Sequence, residues 1–317
     1  MKAIIKNQFL LLFSLFLIFS GCGNNKIFRQ VKMQWRPMEK INQNLPDGIK
    51  VYKGKNNIMP LKAWYAEVDV SLQDMSVRVV RSQDTDRKET LSEFADNLNA
   101  CIVVNGGYFI LDKHPTDHVG LLMSNNIIYS PAITSVLRGS TRYYLTRSAL
   151  GIHDDNHIDI AWITSRNDSV YEWNTPVLNQ QNIPQSSLDY SQAVPWNVRD
   201  ALQAGPVLIT DGEINITVDE EVFFASEITN IHPRTAAGYT SDGRFILMVV
   251  DGRQASSRGV YLQELAVMMD NLDCVEAINL DGGGSSGMVV NGKILNRPTG
   301  TTGQREVMSA IAVLFQE

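Results

Sequence analysis

The sequence is short of several things, and each shortage narrows what the chain can be. Cysteine is scarce: there are three in 317 residues, at Cys22, Cys101 and Cys274. That excludes a disulfide-dense scaffold, and no Cys/His cluster of zinc type is present. Cys101 and Cys274 lie in apolar, strand-like settings and read as buried small hydrophobes; whether they pair is left open. Histidine is also sparse. His153 and His157 are four residues apart, but Asp154, Asp155 and Asn156 between them mark a turn joining two strands. With His114 and His118 they read as surface histidines, so neither a metal nor another cofactor is expected. Basic charge is in deficit, with 28 Lys and Arg against 34 Asp and Glu. There is no basic run and no basic patch interleaved with aromatics, so nucleic acid is not an expected partner. No apolar run is long enough to cross a membrane as a helix. No internal repeat is visible.

What is present begins at the N-terminus. Lys2 and Lys6 precede an almost wholly apolar run from Phe9 to Phe19, followed by Ser20, Gly21 and Cys22. A short apolar run behind positive charges, ending in small residues, is a secretory signal. The cysteine after the small pair resembles the lipobox of bacterial lipoproteins, which implies lipid attachment at Cys22. On this reading residues 1–21 are the signal, 22–59 a tether and N-terminal arm, and 60–317 one domain. The protein is then an exported, membrane-anchored monomer of the cell envelope, in the periplasm or at the cell surface.

Periodicity gives the elements. Residues 62–70 and 76–82 alternate apolar and polar about Gln73-Asp74 and read as a strand pair. Leu91, Phe94, Ala95 and Leu98 make a helical stripe that feeds a buried strand, Cys101 to Val104. Residues 174–195 are rich in Asn, Gln, Ser and Pro and read as a long loop shaping substrate access. Two hairpins follow, turning at Asp211-Gly212 and Asp242-Gly243. A strand ending at Val250, a helix with Leu262, Leu265, Ala266, Met269 and Leu272 on one stripe, and a strand from Val275 to Leu280 come next. Strand–helix–strand predicts an α/β (mixed α+β) domain: a mixed parallel and antiparallel sheet flanked by helices.

The densest signal is Asn279-Leu280-Asp281-Gly282-Gly283-Gly284-Ser285-Ser286-Gly287. Three consecutive glycines exceed what a turn requires, so something must come close to the main chain here. Gly282, Gly284 and Gly287 match G-x-G-x-x-G, but an apolar strand and an Asn-Gly turn follow where the dinucleotide fingerprint needs a helix. The phosphate loop of nucleotide hydrolases needs a lysine that is absent. What survives is an anion-binding nest of main-chain amides, with the hydroxyls of Ser285 and Ser286 and the carboxylate of Asp281. Arg234, beside Thr235, and Arg253 are suited to phosphate oxygens. Asp251 ends the strand before the helix as Asp281 ends the strand after it; two carboxylates facing one cleft are the apparatus of glycoside cleavage. Structural turn chemistry is the alternative for Asp251. Glu264, one turn into the helix, is a secondary acid candidate. Asn105, Gly106 and Gly107 end a buried strand, either as a ligand-facing edge or as a plain turn.

Taken in order, Asn105-Gly106-Gly107-Tyr108-Phe109, Ala204-Gly205-Pro206, Pro233-Arg234-Thr235-Ala236, Val249-Val250-Asp251-Gly252-Arg253 and the glycine string, with Asn296, Pro298 and Arg305 behind them, resemble the phosphodiester glycosidase family. The resemblance covers about residues 60 to 317. It implies hydrolysis of sugar-1-phosphodiesters at the glycosidic C1–O bond, freeing the sugar and leaving a phosphomonoester. Asp281 would act at the anomeric carbon or its water, with Asp251 as partner and His232 near the site. Arg234, Arg253 and the Gly282–Ser286 amides would hold the phosphate. Sugar phosphodiesters of envelope polymers, capsules or dietary glycans are the expected substrates. A glycan-binding protein without turnover and a phosphodiesterase cutting P–O are the rivals.

Overall fold

The computed structural model describes residues 31–299 and 303–316. The expected signal segment, Cys22 and the start of the expected tether lie outside the described residues. An eight-stranded sheet runs Gln34–Pro37, Ile49–Lys55, Lys62–Asp69, Arg244–Val250, Arg234–Thr240, Cys274–Asn279, Val207–Thr210, Glu213–Ile214 in spatial order. A seven-stranded sheet runs Ala193–Pro195, Ser169–Trp173, Ile158–Arg166, Arg147–Ile152, Asp200–Gln203, Leu122–Ser124, Ile127–Ser130. A five-stranded sheet runs Lys293–Ile294, Met288–Val290, Ile102–Asn105, Ser309–Phe315, Met75–Arg81. Ser135–Arg138 and Thr141–Tyr144 form a separate two-stranded ribbon.

Every strand pairing among the described residues is antiparallel. The α/β expectation of a partly parallel sheet flanked by helices is therefore corrected to a β-rich antiparallel fold. The physical reason for the difference is burial on both faces. Along Arg244–Val250, Leu247 and Val249 face a core shared by all three sheets, with Val104, Ile311, Leu150 and Leu202. Met248 and Val250 face the other way, onto Leu262, Leu265 and Met269 of the helix Leu262–Asp270. A strand covered on both faces reads as a continuous apolar run, the pattern usual for parallel sheets.

The helix Leu91–Leu98 covers the outer face of the five-stranded sheet, with Leu91, Phe94 and Ala95 against Val103, Val289 and Ala310. Thr90 and Glu93 start it with a reciprocal capping box. Lys62–Asp69 and Met75–Arg81 are strands as expected, but they do not pair: the turn between them passes from one sheet to another. The N-terminal arm contributes the first two strands of the eight-stranded sheet. Cys101 is half-buried and Cys274 buried, and both are free thiols. His118 is buried rather than at the surface, between Gly120 O at 3.0 Å and Ser309 Oγ at 3.2 Å.

Candidate active site

Three passages of the chain between sheets meet at one place. Gly106 to Phe109 leaves the five-stranded sheet, Ala204 to Pro206 joins the seven- to the eight-stranded sheet, and Leu280 to Gly287 joins the eight- to the five-stranded sheet. Hydrogen bonds tie them. Tyr108 Oη donates to Gly205 O at 2.7 Å. Asn279 Nδ2 donates to Gly205 O and to Tyr108 Oη, each at 3.0 Å. Asn105 Nδ2 donates to Asp281 O at 2.7 Å, and Asp281 N returns a bond to Gly106 O at 3.1 Å.

Strand direction brings the charged residues to the same end. Arg234–Thr240 lies between Arg244–Val250 and Cys274–Asn279 and is antiparallel to both, so the two outer strands run the same way. Arg234 starts its strand opposite Val250, at the end where Asp251 and Asp281 follow their strands. The helix Leu262–Asp270 is thus a crossover between codirectional strands with one reversed strand between them.

A cavity of about 540 Å³ opens at this end. Its lining includes Asp281, Gly282, Gly283 and Gly284, five arginines (Arg138, Arg147, Arg234, Arg253 and Arg305), His232, and an apolar wall with Phe223, Ile133 and Val136. None of these arginines makes an ion pair with a carboxylate among the described residues. Arg234 is buried; its Nη2 donates to Ile228 O at 2.6 Å and Asn230 O at 2.7 Å, and its Nε to Val260 O at 3.3 Å. Burial pulls its guanidinium down to about 10, still charged at neutral pH. Clustered cations without carboxylate partners are costly in a partly dry site unless an anion arrives.

Asp281 is half-buried in this cationic wall. Its Oδ1 accepts from Gly282 N at 2.8 Å and it accepts from the Ser285 hydroxyl. Burial outweighs those bonds and pushes its carboxyl up to about 6. That keeps it ionised at neutral pH yet basic enough to take a proton.

The glycine surplus has a local explanation. A Cβ on Gly284 would stand 2.5 Å from the Arg305 guanidinium, and one on Gly283 would stand 3.3 Å from that of Arg253. Gly283 also has φ 63°, a conformation that favours glycine. What approaches the main chain is the protein's own pair of arginines. The loop amides are mostly used internally. Gly282 N bonds Asp281 Oδ1, Gly283 N bonds Pro233 O, Ser285 N bonds Gly282 O and Ser286 N bonds Gly283 O. Within Gly282–Ser286, only the Gly284 amide lacks a protein partner among the described residues. Positive charge at this loop is therefore presented by guanidiniums more than by a nest of free amides. Ser286 is wholly buried, away from the cavity.

His232 lines the cavity, with Nε2 on Glu227 O at 2.7 Å and Nδ1 on Arg253 Nη2 at 2.9 Å. Since arginine only donates, Nδ1 is the acceptor and the proton sits on Nε2. Burial, helped by Arg234 and Arg253, lowers the ring's basicity, so His232 is neutral and orients Arg253. Asp251 does not line the cavity: its Oδ1 accepts from Arg297 N at 2.8 Å and Asn296 Nδ2 at 3.1 Å. Glu264 is also outside it, paired with Arg258 at 2.5 Å and capping its helix through Tyr261 N. Asn105 and Thr235 are fully buried; Asn105 Oδ1 accepts from Thr235 Oγ1 at 2.6 Å and from Gly287 N at 3.1 Å. Gly106 and Gly107 permit close packing on Ser309 and on Gln203 and His118, and a Cβ on Gly205 would strike Glu221 and Ser148. The stretch 174–195, expected as a loop, ends in the edge strand Ala193–Pro195 and does not line the cavity. Arg138 and Arg147 are members of the site that the sequence does not single out; an arginine heading the otherwise uncharged strand Arg147–Ile152 is the available signal.

Among the described residues, no three His, Cys, Asp or Glu side chains group as a metal site. Residues 98–314 match the phosphodiester glycosidase family. Over 215 residues the chain is 36% identical to N-acetylglucosamine-1-phosphodiester alpha-N-acetylglucosaminidase of Mus musculus, covering 67% of this chain and 36% of that protein. The Homo sapiens protein of the same name is 26% identical over the same coverage of both chains, 67% and 36%. The match thus spans about a third of these relatives' length. The zebrafish catalytic domain of that name shares the fold, with TM-score 0.58 and 20% identity, covering 90% of this chain and 88% of that one. A hypothetical protein from Synechocystis does so at TM-score 0.60 and 18% identity, covering 86% and 63%.

Proposed function

The chain belongs to the phosphodiester glycosidase family, and on that footing we propose that it hydrolyses the glycosidic C1–O bond of sugar-1-phosphodiesters of the N-acetylglucosamine-1-phospho-sugar type. The observation that carries the reading is a single cavity holding one raised, half-buried carboxyl, Asp281, beside five arginines that lack carboxylate partners. A phosphodiester is already a good leaving group once its charge is matched. Guanidiniums supply that match, and little is left for a general acid to do. Arg234, fixed by three main-chain carbonyls, and Arg253, fixed by His232, hold the phosphate with the Gly284 amide. Asp281 serves the anomeric centre, directly or through the attacking water. Asp251 has a structural part, its Oδ1 accepting from the Asn296 side-chain amide and the Arg297 main-chain amide.

The test is product analysis. Incubation with N-acetylglucosamine-1-phospho-mannose should yield free N-acetylglucosamine. Release of N-acetylglucosamine 1-phosphate would indicate a P–O phosphodiesterase, and binding without turnover a glycan-binding protein. The location is part of the same proposal: an exported lipoprotein anchored at Cys22 and facing envelope or dietary glycans. Metabolic labelling with a fatty acid, lost in Cys22→Ser, checks it.

A further inference from the structure

One phosphodiester carries one negative charge, and the cavity offers far more positive charge than that. Its five arginines face only two carboxylates among the lining residues, Asp281 and Glu227, and His232 is neutral. The arginines also fall into two sets by what holds them. Arg253 and Arg305 lie against Gly283 and Gly284, with Arg234 beside them at the strand start. Arg138 and Arg147 are held elsewhere, on two successive carbonyls: Arg147 Nη2 donates to Glu221 O at 3.0 Å and Arg138 Nη2 to Val222 O at 2.7 Å. Arg147 is 5% exposed and stacks over Phe223 at 4.1 Å. The Nε atoms of both arginines are buried and have no partner. Val222, whose carbonyl positions Arg138, has φ 58°, a strained conformation for a β-branched residue.

We propose that Arg138 and Arg147 form a second anion subsite in the cavity, which takes a second phosphate group on the same substrate. The inference rests on the sugar-phosphodiester reading and narrows its substrate class. Two chemistries share the feature. In a glycosyl diphosphate the second phosphate is bonded directly to the first; in a polymer of repeating sugar phosphodiesters it lies one sugar away. Arg147 is the fixed member, buried and stacked. Arg138 comes from the two-stranded ribbon Ser135–Arg138 and Thr141–Tyr144 and is the second member of the subsite.

Calorimetric binding to the full-length protein tests this without relying on turnover. The probes are inorganic phosphate against inorganic pyrophosphate, and glucose 1-phosphate against glucose 1,6-bisphosphate. At least one two-phosphate probe should bind about tenfold or more tighter than its one-phosphate counterpart, as charge-assisted contacts to a further phosphate require. A pyrophosphate preference indicates adjacent phosphates, and a bisphosphate preference indicates phosphates one sugar apart. Arg138→Gln should bring the ratio towards one. Arg147→Met should do the same if it folds; Arg138, half-buried on the ribbon, keeps the test usable if it does not. Equal binding of both pairs by the wild type, or a ratio unchanged in Arg138→Gln, overturns the subsite. The two readings separate cleanly: a preserved ratio with no free sugar released rejects the glycosidase and keeps the subsite, and a ratio of one with free sugar that carries the oxygen of the attacking water does the reverse.

Discussion

The carboxamide of Asn105 donates to the main-chain carbonyl of Asp281 at 2.7 Å, from a strand in a different sheet. Its other atom accepts from Thr235 Oγ1 and from Gly287 N. One buried side chain therefore holds both ends of the glycine loop. Asn105→Ala leaves three polar groups unpaired, each worth about 1–3 kcal/mol when buried. A drop in melting temperature and a fall in kcat/KM should come together. Asn105→Asp keeps the acceptor and loses the donor, and it should also lower kcat/KM. Either variant with wild-type stability and activity would show that the loop is held by something else.

Gly284→Ala places a methyl against Arg305, and Arg305 is exposed and free to move aside. Stability should change by less than about 1 kcal/mol, since nothing in the core shifts. KM should rise, because the displaced guanidinium no longer faces the cavity. Gly283→Ala meets both Arg253 and a left-handed backbone, so it should lose stability as well. Melting curves and initial rates on the two variants check the contrast.

Much of this loop is legible in the amino-acid sequence. The glycine surplus, Asp281, Arg234 and Arg253 all stand out as a local pattern. Asp251 carries the same pattern, an Asp-Gly following a strand, yet its carboxylate turns onto Asn296 and Arg297. Local sequence records where a strand ends, and not which way the next side chain turns. Arg138 and Arg147 leave only a faint trace, because each is the single charge on its strand and meets the site only through tertiary packing. The sheet misleads for a related reason. Strand–helix–strand reports that two strands run the same way, as Arg244–Val250 and Cys274–Asn279 do, but not that Arg234–Thr240 slots between them in reverse.

The raised carboxyl of Asp281 makes two pH predictions. Activity requires its ionised form, so kcat/KM should fall as pH drops through about 6. The stability effect has the opposite sense. The folded group titrates near 6 and the unfolded one near 3.8, so between those values the folded state binds more protons and stability falls as pH rises. Asp281→Asn removes that penalty. It should raise the melting temperature at pH 7, leave it little changed below pH 4, and reduce kcat/KM by about two orders of magnitude or more. An unchanged acid limb, or near full activity in Asp281→Asn, would remove Asp281 from the reaction.

His232 is predicted to act through Arg253 and not as a proton donor. Its Nε2 proton is held by Glu227 O and its Nδ1 lone pair by Arg253. His232→Gln should raise KM and leave the acid limb of the kcat/KM profile in place. Loss or displacement of that limb would reassign the titrating group to His232.

The most direct test of the account is the bond that breaks. Free N-acetylglucosamine alone does not settle it, because cleavage of the P–O bond on the sugar side gives the same two products. Hydrolysis of N-acetylglucosamine-1-phospho-mannose in ¹⁸O-water, quenched early, separates the two by mass. Attack at the anomeric carbon puts the heavy oxygen in the released sugar and leaves the mannose phosphate unlabelled, which is the result predicted here. A labelled phosphate would mean attack at phosphorus, and the roles given to Asp281 and the arginines would be wrong.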